Sequence, residues 1–279
     1  MDLITRMKIQ LLKPSIVIAC TALLSGCFEQ LTETEQLCRD HPELKCQQLN
    51  IDDSQCHAPR YRLLAYRADT PNPRTDIQHI REYELVSDFR SCLELAAQIE
   101  PIDRRDRKTA RFETMMSMRQ EQQRLIANIK ETQSAHALYF AWIYLGEESA
   151  RRQFLRLEGE PELDTAELQY ALATFYTTRD PAKAEQMLHR AIELSFEAPV
   201  NRDIFTTLST LYYRTSQIEL AYLWSMVAKH FGAAIASERE LDFIYQNVTP
   251  LQKRQLDQQS VSIVAEISSQ RYRSRSIAD

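Results

Sequence analysis

Two stretches of this sequence follow one pattern. Leu172-Ala173-Thr174-Phe175-Tyr176, then Ala184 and Ala191, recur as Leu208-Ser209-Thr210-Leu211-Tyr212, then Ala221 and Ala228. The offset is 36 residues in the first half and 37 in the second, so one turn differs by a single residue. A more degenerate copy precedes them at Ala141, Tyr144, Ala150, Phe154 and Leu157, with Ala150 lying 34 residues before Ala184. A unit of this size is one supersecondary element that cannot bury its apolar face alone, so neighbouring copies must stack. Composition agrees with helices as the stacked element. Only 4 of 279 residues are glycine, against roughly 20 at average usage. The four (Gly26, Gly146, Gly159, Gly232) are too scattered for a phosphate-cradling loop and too few for turn-rich β architecture. The fold class expected is all-α.

Over about residues 135–231 the pattern resembles the tetratricopeptide repeat family. The small residues at Ala184 and Ala221 let the second helix of each pair approach the first, near Tyr176 and Tyr212. Gln169 stands where the family has Trp, Phe205 keeps a large ring there, and Ala173 or Ser209 replaces the usual Gly. The resemblance implies three helix pairs over 134–232, forming a short α-solenoid whose inner helices line a peptide-binding groove. Carried across, the groove positions are Tyr170, Thr174, Thr177 and Thr178 in one copy and Asp203, Thr206, Thr210, Tyr213 and Arg214 in the next. Hydroxyls suit polar peptide contacts, and Arg214 suits a carboxylate. The alternative is that these residues form an ordinary solvated helix face.

Start and stop signals frame the repeats. Asp180-Pro181 reads as an N-cap with proline at the first helical position, and Ser237 with Glu240 as a capping box. Capping helices are expected over 233–270, the last one starting at Thr249-Pro250 and using Leu251, Leu256, Ile263 and Ile267 to cover the end of the stack. A disordered tail, 271–279, follows. Upstream, residues 75–133 read as a long helical hairpin. Ile77, Ile80, Leu85, Val86, Phe89, Leu93, Ala96 and Ala97 recur at helical spacing in its first helix. Its second helix is expected to begin at Pro101, with Phe112, Met115, Met116, Met118, Leu125, Ile126 and Ile129 on the apolar face. Arg104, Arg105, Arg107, Lys108 and Arg111 alternate with Asp103, Asp106 and Glu113, the mark of a solvated face laced with ion pairs. A patch for acidic lipid or polymer is the other reading of this segment.

At the N-terminus, Arg6, Lys8 and Lys13 precede an apolar run from Ser15 to Ser25. That run is too short for a bilayer core of ~30 Å but has the length of a signal-peptide core. It ends in Leu24-Ser25-Gly26-Cys27, which resembles the lipobox of bacterial lipoproteins at all four positions. The resemblance implies a signal peptide over 1–26 and lipidation of Cys27. Phe28 stands where an Asp would imply inner-membrane retention, so the expectation is a periplasm-facing outer-membrane protein. Residues 27–74 then form a Cys-bearing arm with short helical turns. Cys38, Cys46, Cys56 and Cys92 are an even set in an exported chain, where disulfides are expected, with three connectivities open. His41-Pro42 reads as a turn that would bring Cys38 to Cys46, leaving Cys56 to pin the arm to Cys92. A zinc site drawn from Cys38, His41, Cys46, Cys56 and His57 matches no standard spacing.

The whole chain is also similar to a family of uncharacterised Gram-negative lipoproteins, through the run Cys92-Leu93-Glu94-Leu95-Ala96-Ala97-Gln98-Ile99-Glu100 and the stretch Leu168 to Leu194. That likeness implies architecture and location but no activity. The six histidines are scattered, and no nucleophile or metal-binding motif is present. His189 and His230 fall toward the ends of second helices, where a cation favours the helix dipole. A formal charge of −5, or −7 for residues 27–279, gives no footprint for nucleic acid. The expectation is a lipid-anchored, non-catalytic interaction module that uses no cofactor or metal and binds an envelope protein or peptide. The alternative is a structural factor touching peptidoglycan or membrane lipid.

Overall fold

The computed structural model describes residues 32–70, 72–100, 106–195 and 200–274, and all regular structure within them is helical. The signal peptide, Cys27 and the helix start expected at Pro101 lie outside the described residues. The chain divides into two compact units. The first contains the described residues up to Arg74 together with Glu82–Gln123, and the second contains Thr75–Arg81 and everything from Arg124.

In the first unit, α1 (Glu33–Asp40) starts on a capping box in which Thr32 and Glu35 satisfy each other's backbone N–H. Two 3₁₀ turns, Pro42–Leu44 and Cys46–Leu49, follow through a left-handed Lys45. Disulfides join Cys38 to Cys46 and Cys56 to Cys92. Closing the 36-residue loop between Cys56 and Cys92 removes chain entropy worth about 4 kcal/mol. With all four sulfurs paired, no thiolate remains for zinc, and His57 meets the Thr34 hydroxyl instead. One element exceeds the expected short turns of the arm. Residues His57–Asp69 form a 13-residue helix, α2, which buries Leu63 and Leu64.

Two long helices follow, α3 (Asp76–Ala96) and α4 (Asp106–Thr132), which give this unit their stretches from Glu82 and up to Gln123. The apolar face of α3 is buried at Leu85, Val86, Phe89, Leu93 and Ala96, but Ile77 is half exposed. On α4 the buried stripe runs through Arg111, Thr114, Met118, Gln122, Leu125 and Ile129, leaving Phe112 and Met116 outside it. Of the expected apolar face, Met118, Leu125 and Ile129 are buried and Met115 and Ile126 half-buried; periodicity misplaces Phe112 and Met116 because three members of the stripe are polar. Arg111, expected on a solvated face, is buried and ion-paired. Its Nε and Nη2 donate to the two carboxylate oxygens of buried Asp53 at 2.5 and 3.2 Å, and its Nη1 donates to the Ala96 carbonyl at 2.9 Å. Burial pushes the Asp53 carboxyl up, but hydrogen bonds from Arg111 and the Gln55 N–H, with the nearby guanidinium charges, hold it below the usual carboxylate range. Arg60 donates to the carbonyls of Asn50 and Asp53. Buried Glu82 is gripped by Arg67 at 2.7 Å and Arg74 at 2.6 Å.

The second unit contains three consecutive helix hairpins. They are α5 (Ala135–Leu145) with α6 (Glu148–Arg156), α7 (Ala166–Tyr176) with α8 (Pro181–Glu193), and α9 (Asp203–Arg214) with α10 (Ile218–His230). Each packs on the next, and α12 (Pro250–Ser268) covers α10 after the short α11 (Glu238–Ile244). The starts have local causes. Ser134, Thr165, Asp180 and Thr249 each accept the N–H three residues on. Gly146 ends α5 at φ +69°, which only glycine adopts without strain. Ala173, Ala184, Ala191, Ala221 and Ala228 are all fully buried, as close helix approach requires. Ser209, at a glycine position of the repeat pattern, donates its hydroxyl to the Ala221 carbonyl at 2.9 Å. The repeated tyrosines reach back one unit: Tyr176 donates to Glu158 and Tyr212 to Glu185. The tail is ordered further than expected. Tyr272 is buried and the Ser274 N–H donates to Glu193, while the remaining residues 275–279 lie outside the described set.

Removing one member of the Arg111–Asp53 pair leaves the other charged and buried. Asp53→Ala is expected to cost about 3–5 kcal/mol, and Asp53→Ala with Arg111→Met much less than the sum of the single changes. Urea unfolding of the four variants checks this; additive losses would contradict a coupled pair.

Candidate partner-binding cleft

The inner-helix residues expected to meet a partner sit on α7 and α9, which bring them side by side. Thr174 and Thr177 from one hairpin and Thr206, Thr207, Thr210, Leu211 and Arg214 from the next line an open cleft of about 320 Å³. Five of the nine expected positions therefore converge: Thr174, Thr177, Thr206, Thr210 and Arg214. Tyr170 borders them through its hydroxyl, 3.4 Å from the Thr207 hydroxyl. Thr178 and Asp203 are exposed but do not line the cleft. Tyr213 turns away, standing edge-on to Tyr245 with ring centroids 6.2 Å apart. Thr207 and Leu211 also line the cleft, each one residue beyond an expected position.

The expected role of the hydroxyls needs correction. Four of the threonines donate their protons to carbonyls of their own helix turn: Thr174 to Ala171, Thr177 to Thr174, Thr206 to Asp203 and Thr210 to Thr206, all at 2.7–3.1 Å. What they offer a ligand is methyl surface and acceptor lone pairs. Arg214 is the donor of the cleft, exposed and without a hydrogen-bond or ion-pair partner among the described residues. Such a surface suits an extended segment carrying N–H donors, small apolar groups and an acceptor that can reach Arg214.

A second polar constellation lies within the same unit. The Tyr212 hydroxyl gives its proton to Glu185 at 2.8 Å, so it can only accept from His189 Nε2, 3.1 Å away. His189 Nδ1 is then the unprotonated nitrogen and accepts from the Tyr272 hydroxyl at 2.6 Å. The chain of bonds runs from tail to carboxylate and leaves no ring nitrogen free. Burial pushes the imidazole down to about 4, only partly opposed by the charge of Glu193. His189 is thus neutral at pH 7 and is not the dipole-facing cation expected from its place near a helix end. Burial, with the Glu185 hydrogen bond, pushes the Tyr212 phenol far above its ordinary value. Beside this chain a cavity of about 220 Å³ is lined by Leu223, Trp224 and Ile263. Among the described residues, no three His, Cys, Asp or Glu side chains are grouped to hold a metal ion. No helix among them is long and apolar enough to cross a membrane.

The chain matches, over residues 24–226, the family described as "Protein of unknown function (DUF2989)", and belongs to it. No curated protein and no solved structure matches the chain.

The buried imidazole makes stability pH-dependent with a definite sign. Its folded value, about 4, lies below the ordinary 6.5, so between these limits the unfolded chain binds more protons. Stability is full above pH 6.5 and falls by up to about 1.4 kcal/mol per pH unit toward pH 4. Asp53, held low, adds its loss only below the carboxylate range. Denaturant midpoints measured from pH 7 to 5 should decline in the parent protein and stay flatter in His189→Gln. Equal slopes in both would overturn the assignment.

Proposed function

We propose that this chain is a lipid-anchored, periplasm-facing, non-catalytic interaction module of the bacterial cell envelope. In this reading the three hairpins are tetratricopeptide-like, and the α7–α9 cleft receives an extended segment of an envelope protein. The observation that carries it is the convergence of Thr174, Thr177, Thr206, Thr210 and Arg214 on one open cleft. Repeat spacing supports the same assignment, because the small residues that the pattern demands are the ones buried between helices. Leu24-Ser25-Gly26-Cys27 supports an anchor at Cys27 carrying acyl chains, and Phe28 favours the outer membrane. Disulfides in the arm fit an oxidising compartment.

The alternative role for the basic segment of α4, contact with peptidoglycan or acidic lipid, has less to support it. Arg111 is buried against Asp53, and Lys108 is paired with Glu100 at 2.5 Å.

Capture of envelope proteins on the full chain should recover a partner that Arg214→Glu with Thr210→Lys weakens about tenfold. Both positions are exposed, so the fold should survive, as circular dichroism can verify. Gln186→Lys, on exposed surface of α8, should leave recovery unchanged. Equal recovery by the cleft variant and the parent would sink the assignment.

A further inference from the structure

The first unit carries an apolar surface for which the cleft has no use. The end of α3 and the start of α4 are tied together: Arg111 Nη1 donates to the Ala96 carbonyl at 2.9 Å and the Ile99 carbonyl at 3.5 Å, and Lys108 donates to Glu100. This end of the helix pair exposes Leu95 at 70%, Ile99 at 50%, Phe112 at 54% and Met116 at 37%. Phe112 and Met116 are four residues apart on α4 and so form an apolar pair at one-turn spacing, while Leu95 stands in the last turn of α3 and Ile99 in the turn that follows it. Large apolar side chains left exposed on neighbouring segments of a surface can serve association with protein or lipid. Three of the charged pairs near them are Lys108 with Glu100, Arg90 with Glu94, and Arg111 with Asp53.

Chain length points to the occupant. From Cys27 to Thr32, where the described chain begins, there are five residues, a reach of at most about 18 Å. From Thr32 the arm is fastened to the segments that carry the surface. Cys56 is bonded to Cys92, one turn before Leu95, and Asp53 grips Arg111, next to Phe112. An acyl chain on Cys27 would hold this unit at a lipid surface. We propose that the α3–α4 end is a second membrane contact, with Leu95, Ile99, Phe112 and Met116 entering the boundary between headgroups and acyl chains. The proposal rests on the lipid-anchor reading and is independent of the cleft. An apolar contact of this kind adds to the hold of the lipid and fixes which side of the body faces the membrane.

The test uses the full chain carrying Phe112→Trp, reconstituted in phosphatidylethanolamine–phosphatidylglycerol vesicles with and without brominated acyl chains. The native Trp142 and Trp224 lie in the second unit, so the parent chain supplies the background. Quenching by brominated lipid should be roughly twofold greater than in the parent and indifferent to high salt. Adding Leu95→Glu and Ile99→Glu should return it to background; both positions are exposed, and an unchanged thermal midpoint verifies the fold. Intact mass separates the two readings. An acylated Cys27 with quenching no greater than the parent overturns the membrane contact alone. An unmodified Cys27 overturns the anchor and the contact with it.

Discussion

The second unit depends on how closely two helices can approach. Ala184 faces the first helix of its hairpin, and Ala221 does the same one unit on, both without exposed surface. A larger side chain at either place would push the helices apart and open the stack, because a packed interior has no spare volume. Close approach has a consequence at Ser209, whose hydroxyl reaches the Ala221 carbonyl and the Ser225 hydroxyl. A polar group buried between helices is tolerated there because it is fully bonded. The spacing set by the alanines also allows Tyr176 and Tyr212 to reach back to carboxylates of the preceding unit. Short side chains set the distance, and long ones then register one hairpin on the next.

The first unit is organised on a different principle. Its interior combines apolar side chains with three buried ionic groups: Arg111 with Asp53, Arg60 against loop carbonyls, and Glu82 between Arg67 and Arg74. Buried ion pairs of this kind add little net stability against an apolar replacement, but they penalise wrong pairings severely. With two disulfides they fix one path for an arm whose helices are joined by short turns. The proposed anchor at Cys27 lies five residues before Thr32, where this arm begins.

What could be read from the sequence follows from these two principles. Repeat periodicity located the hairpins because each small or aromatic residue recurs for a steric reason that is local and visible. The turn at His41-Pro42 likewise brought Cys38 to Cys46, leaving Cys56 for Cys92. Phe112 was misplaced because Arg111, Thr114 and Gln122 occupy the buried stripe of α4, and their partners Asp53 and Ser87 are distant in sequence. His189 was misread for the same reason, since Tyr272 is 83 residues away. In the cleft, residue type was legible but hydroxyl direction was not. Threonine on a helix can return its proton to the turn behind it, and four of the five expected threonines, Thr174, Thr177, Thr206 and Thr210, do so.

In the proposed function a partner segment lies in the cleft between α7 and α9. Photo-crosslinking in living cells tests it most directly, with a benzophenone amino acid placed at Thr210 or, as a control, at Gln186. The account predicts a discrete crosslinked product to an envelope protein from position 210 and none from position 186. Equal products from both positions, or none from 210, would contradict it.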